Sequence, residues 1–83
     1  MIDVNTSLDQ LLETAISTLS EVTSGEKFIV RELFRGFEWN RIGKSNRTKL
    51  GGLFYRYVSE HPELSIDPLG KTPQNQQIYV KTK

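Results

Sequence analysis

Five cations, Arg41, Lys44, Arg47, Lys49 and Arg56, stand between Glu38 and Glu60 with no acidic residue among them. A one-signed block of this kind raises the local potential toward a polyanion, and the phosphate backbone of a nucleic acid is one such partner. The plainer use of such a block is a solvated helix face. It belongs to a larger asymmetry: residues 1–26 hold five acids and no base, whereas residues 27–83 hold all eleven bases and the other five acids. The net charge of +1 therefore conceals two halves of opposite sign.

Other chemistry has little to work with. Cysteine is absent, which removes disulfides, thiolate metal sites and a cysteine nucleophile together, and the one histidine, His61, sits beside Pro62. The acids form no evident acid/base pair, and no serine lies in a nucleophile elbow. Gly70-Lys71-Thr72 imitates the end of a phosphate-binding loop, but Ser65 stands where that pattern needs glycine and Pro73 discourages the helix that should follow. Asn5-Thr6-Ser7 and Asn46-Arg47-Thr48 match glycosylation acceptors without a secretion signal beside them. These absences predict a binding protein rather than an enzyme, with no catalytic residue, no metal and no cofactor. No apolar run approaches the roughly 18 residues of a membrane span, so the expectation is a cytoplasmic protein that makes no use of a membrane.

The elements that must position the cations follow from periodicity. The chain has 83 residues, enough for a single domain over 1–83, and its 36% hydrophobic and 25% charged residues are a globular balance. Leu8, Leu11, Leu12, Ala15, Ile16, Leu19 and Val22 recur at helical spacing and predict a helix from Leu8 to about Thr23, with Ser7 and Gln10 as a capping box and Gly25 as the stop. That stripe suits a core, and a dimer seam is its second use. Lys27 to Val30 is β-prone and too short to stand without partner strands. Arg31 to Arg35 follows as one or two helical turns closed by Gly36, and Phe37 to Gly43 as a compact turn in which Trp39 and Ile42 plug the core.

Ser45 is placed to cap a second long helix, from Asn46 to His61, with Leu50, Leu53, Phe54, Tyr57 and Val58 on its buried face. Gly51 and Gly52 inside it each cost about 1 kcal/mol relative to alanine, which predicts a backbone packed closely against them, with a phosphate approached by bare backbone the second use, disfavoured this far from the helix start. Pro62 ends the helix. Leu64 to Ile66 and Gln77 to Val80 then predict a hairpin whose connection, residues 67–76, projects and moves.

This order of elements resembles a winged helix over Leu8 to Val80: an α+β domain of three helices, a short strand and a C-terminal hairpin wing. The stretches Phe28-Ile-Val-Arg-Glu-Leu-Phe-Arg-Gly-Phe-Glu-Trp-Asn-Arg-Ile and Asn46-Arg-Thr-Lys-Leu-Gly-Gly-Leu-Phe are also similar to a small bacterial and phage family of unknown function, which implies no activity. The winged-helix resemblance implies a third helix that enters the major groove by its N-terminal half, flanked by the wing. On this sequence it assigns Ser45, Asn46, Arg47 and Lys49 to the groove end of that helix, with Arg47 suited to a guanine edge and Asn46 to an adenine edge. Lys44 falls near a phosphate at the helix start, Arg41 reaches the backbone from the turn, and Lys71, Thr72, Gln74, Asn75 and Gln76 offer contacts from the wing.

Two functions from different classes follow. The first is a nucleic-acid-binding protein, with duplex DNA the expected partner and a bacterial or phage regulator the expected role. The second is a protein-interaction module or phage-type inhibitor on the same fold, which would use the first helix or exposed Tyr55 and Tyr79. Salt dependence separates them, because phosphate contacts release counterions.

Overall fold

The first helix, α1 (Leu8–Thr18), starts where the capping box puts it: the Ser7 hydroxyl accepts the Gln10 N–H, and the Gln10 side chain accepts the Ser7 N–H, both at 3.2 Å. It ends before Thr23, tightening into a 3-10 turn at Leu19–Glu21. Hydroxyls account for the early end. Thr14, Ser17, Thr18 and Ser20 each donate back to a carbonyl three or four residues earlier, a competition that bends and weakens helices. Gly25 is therefore not the helix stop. At φ +90° it forms the turn into the sheet, where its N–H donates to the Lys81 carbonyl.

The computed structural model describes residues 2–83. Among them three helices pack on a three-stranded antiparallel sheet, an α+β arrangement consistent with a winged-helix-like fold. The strands are β1 (Lys27–Phe28), β2 (Ile66–Lys71) and β3 (Gln77–Lys81), in the order β1-β3-β2. As its brevity requires, β1 pairs with the hairpin, Phe28 opposite Tyr79. The chain then makes a 3-10 turn at Val30–Leu33, and Gly36 opens α2 (Gly36–Asn40) instead of closing the preceding turn. A short helix thus takes up the first part of the compact turn expected at Phe37 to Gly43.

The last helix, α3 (Lys44–Glu60), begins two residues earlier than the sequence predicts. Gly43 rather than Ser45 holds the cap position, and its carbonyl accepts the Arg47 N–H. Leu50, Phe54 and Val58 are buried, while Leu53, Tyr57 and Trp39 are half-buried. Phe54 meets Tyr79 edge-on at 5.0 Å and Tyr79 stacks on Phe28 at 5.7 Å, so one aromatic cluster fastens α3 to the centre of the sheet. Tyr79 is fully buried, which removes it from the exposed surface the sequence assigned to it.

The hairpin is longer and its tip tighter than its β-prone runs suggest. β2 runs through Pro68, which an edge strand tolerates, and accommodates Leu69 as an irregularity between Pro68 and Gly70. Residues 72–76 alone form the connection. Thr72 N–H donates to the Gln76 carbonyl and Asn75 N–H to the Thr72 carbonyl, both at 2.8 Å, and Asn75 takes φ +65°. The tip is thus a hydrogen-bonded turn, shorter than the ten-residue connection expected.

Candidate functional site

Pairing of β1 with β3 carries the Val30–Leu33 turn alongside the hairpin, and α3 runs across from both. Between them lies a groove of about 900 Å³. Four cations border it, Arg31 from the turn, Lys44 and Arg47 from α3, and Lys71 from the end of β2. No carboxylate stands among the described residues that line it. The N-terminus of α3 adds to the positive potential, since its first turn holds no acid and its leading N–H groups have no intrahelical partner. Gln74, Asn75 and Gln76 line the groove from the hairpin tip, and Thr48, Gly51, Gly52 and Tyr55 from the exposed side of α3.

Of the residues the sequence singles out, the fold brings together Lys44, Arg47, Lys71, Gln74, Asn75 and Gln76. Ser45 and Lys49 are exposed on α3 and Asn46 is half-buried, all outside the groove lining. Thr72 is used within the tip, where its hydroxyl accepts the Gln76 N–H at 3.2 Å.

The two arginines depart furthest from expectation. Arg47 lines the groove, but its guanidinium is turned inward: Nε donates to the Ile42 carbonyl at 2.9 Å and Nη2 to the Trp39 carbonyl at 3.0 Å. The guanidinium also lies over the Trp39 ring, 5.1 Å from its centroid. These contacts satisfy carbonyls at the C-terminal end of α2 and fix that short helix to α3, so the fork is spent on the protein and not held out for a guanine edge. Arg41 is committed elsewhere. Its Nη1 donates to the Ile2 carbonyl at 2.9 Å and its guanidinium covers Phe37, which ties down the N-terminal segment.

Arg31 is the cation that sequence reasoning missed. It lies outside the acid-free block and next to Glu32, so charge patterning gives no hint; the pairing of β1 with the hairpin sets it on the groove that Lys71 also lines. The glycine pair was misassigned rather than missed. Among the described residues, a Cβ built on Gly51 or Gly52 meets nothing within 4 Å, so none of their backbone packs closely there. Both glycines face the open groove instead.

Tyr79 closes the groove from β3. Its hydroxyl has no hydrogen-bond partner among the described residues. Burial, and secondarily Tyr55 beside it, push its pKa up to about 12. Elsewhere, the exposed Glu63 carboxyl is held below its ordinary range by its own backbone N–H and by His61, whose ring stacks on Tyr57 at 4.1 Å. Among the described residues, no cluster of three or more His, Cys, Asp or Glu could hold a metal ion, and no helix is long and apolar enough to cross a membrane.

The sequence model of a family described as a domain of unknown function, DUF1413, matches residues 13–81, which include every residue of the groove. No curated protein and no solved structure matches the chain.

Proposed function

The chain belongs to the DUF1413 family, whose function is unknown, and from its own surface we propose that it binds nucleic acid, with the phosphate backbone lying in the groove between α3 and the hairpin. The observation that carries this reading is the convergence of Arg31, Lys44 and Lys71, from three separate segments, on one groove with no carboxylate among its described lining residues. Cations spread over a surface are ordinary; cations gathered around a concavity focus their field on whatever enters it. The order of helices and strands supports a winged-helix assignment, with α3 as the helix that approaches the major groove of duplex DNA and β2–β3 as the wing. Arg31, Lys44 and Lys71 are then phosphate contacts, and Gln74, Asn75 and Gln76 supply polar contacts from the tip. Arg47 acts as a positioning residue that holds α2 against α3. The expected role is that of a small cytoplasmic regulator.

Binding of mixed-sequence duplex DNA, followed by fluorescence anisotropy as salt is raised, tests the proposal. Three phosphate contacts at about −0.9 each give a slope near −2.7 for the logarithm of affinity against the logarithm of salt. Absence of binding to duplex and single-stranded nucleic acid alike at low salt, where attraction is least screened, rejects it in favour of a protein-interaction module.

A further inference from the structure

Gly51 and Gly52 weaken α3 relative to alanine, yet nothing among the described residues requires them, since a Cβ at either position meets none of their atoms within 4 Å. Their bare backbone forms part of the groove surface, a strip of helix that a flat group can approach more closely than any side chain would allow. A second observation comes from the opposite wall. Tyr79 is 0% exposed and lines the groove, yet its hydroxyl has no partner among the described residues. Buried hydroxyls are ordinarily paired, because water lost without replacement is costly. With a pKa of about 12 this one remains an O–H donor at neutral pH. Tyr55, beside it and 46% exposed, gives the groove an aromatic face.

A flat face, a free hydrogen-bond donor, an aromatic ring and a ring of cations are together complementary to one chemical unit. We infer that the groove seats an unpaired nucleotide: its phosphate lies between Lys44 and Lys71, its base rests on the Gly51–Gly52 surface, and an acceptor on the base edge takes the Tyr79 hydroxyl proton in a hydrogen bond. This rests on the reading of the groove as a nucleic-acid site and makes single strand, not duplex, its preferred form. A base within a duplex has its faces covered by its neighbours, whereas an unpaired base offers face and edge at once. The groove, at about 900 Å³, has room for such a unit. Because Tyr79 is fully buried, contact with its hydroxyl requires side chains at the groove wall to move, a motion open to the exposed Tyr55 beside it.

The test compares one mixed-sequence DNA oligonucleotide as single strand and as blunt duplex of equal length, by anisotropy at one low salt concentration. The single strand is expected to bind about three- to tenfold more tightly, the scale of the one hydrogen bond to Tyr79 that a paired base does not offer. Tyr79→Phe keeps the ring and has no hydroxyl to bury, so its urea midpoint is expected to hold or rise while single-strand affinity falls about three- to tenfold, the loss of one hydrogen bond. Gly51→Ala, which also favours the helix, is expected to weaken single-strand binding more than duplex binding. Opposite movements of stability and affinity are a signature that a purely structural tyrosine or glycine would not produce. Duplex binding as tight as single-strand binding, or unchanged single-strand affinity in Tyr79→Phe, overturns the inference and leaves the nucleic-acid reading standing. No binding of either form overturns both.

Discussion

Replacing Arg47 by alanine separates the two roles open to this residue. In the structure its guanidinium donates to the Trp39 and Ile42 carbonyls and covers the Trp39 ring. Hydrogen bonds from a charged donor contribute about 1.5–3 kcal/mol when buried, and an exposed cation–π contact about 0.5–1 kcal/mol. Arg47 is only half-buried, and water can replace part of what is lost, so the sum is discounted to about 2–3 kcal/mol. For a domain of this size, with a urea m-value near 1 kcal/mol/M, the midpoint is expected to fall by about 2–3 M. Arg47→Lys should recover little, because an ammonium keeps the charge but not the planar fork that spans two carbonyls. Urea unfolding followed by Trp39 fluorescence reads the change at the site itself. An unchanged midpoint with binding lost for one preferred DNA site alone would refute the structural role and return Arg47 to the base-reading part that the winged-helix resemblance implies.

Gly51→Ala is expected to raise stability by about 1 kcal/mol, since the added methyl meets open space and the helix gains propensity; a lower urea midpoint would show that something presses on α3 there. Tyr79 makes stability fall at alkaline pH. Its folded pKa, about 12, stands above the unfolded value of 10, so its contribution is complete below pH 10 and is lost as pH rises toward 12. Thermal melts of wild type and Tyr79→Phe across that window should show the loss in the wild type only, and parallel curves would contradict the assignment.

Local signals placed most of the elements because their causes are local. The Ser7–Gln10 box starts α1 where the sequence says, and the stripe through Leu50, Phe54 and Val58 points inward as its spacing requires. The errors have physical sources. Hydroxyl back-bonding shortened α1, and Gly36 opened a helix because Arg35 before it takes an extended conformation at the cap position. The site was half legible: Lys44 and Lys71 announced themselves by charge and by position at a helix start and a turn. Arg31 could not, because its place depends on a strand pairing that no window of sequence contains. The inward turn of Arg47 was hidden for a different reason. An arginine that reads a base and one that staples two carbonyls have the same composition and spacing, and only the position of α2 distinguishes them.

On the proposed function, the cations of one groove, and not the basic half as a whole, hold the nucleic acid. The most direct measurement is the salt dependence of duplex DNA affinity for wild type, Lys44→Ala, Lys71→Ala and Lys49→Ala. The wild-type slope should lie near −2.7, Lys44→Ala and Lys71→Ala should each flatten it by about 0.9, and Lys49→Ala, on the same helix but outside the groove, should leave it unchanged. Equal flattening by all three variants, or no measurable binding at low salt, would contradict the account.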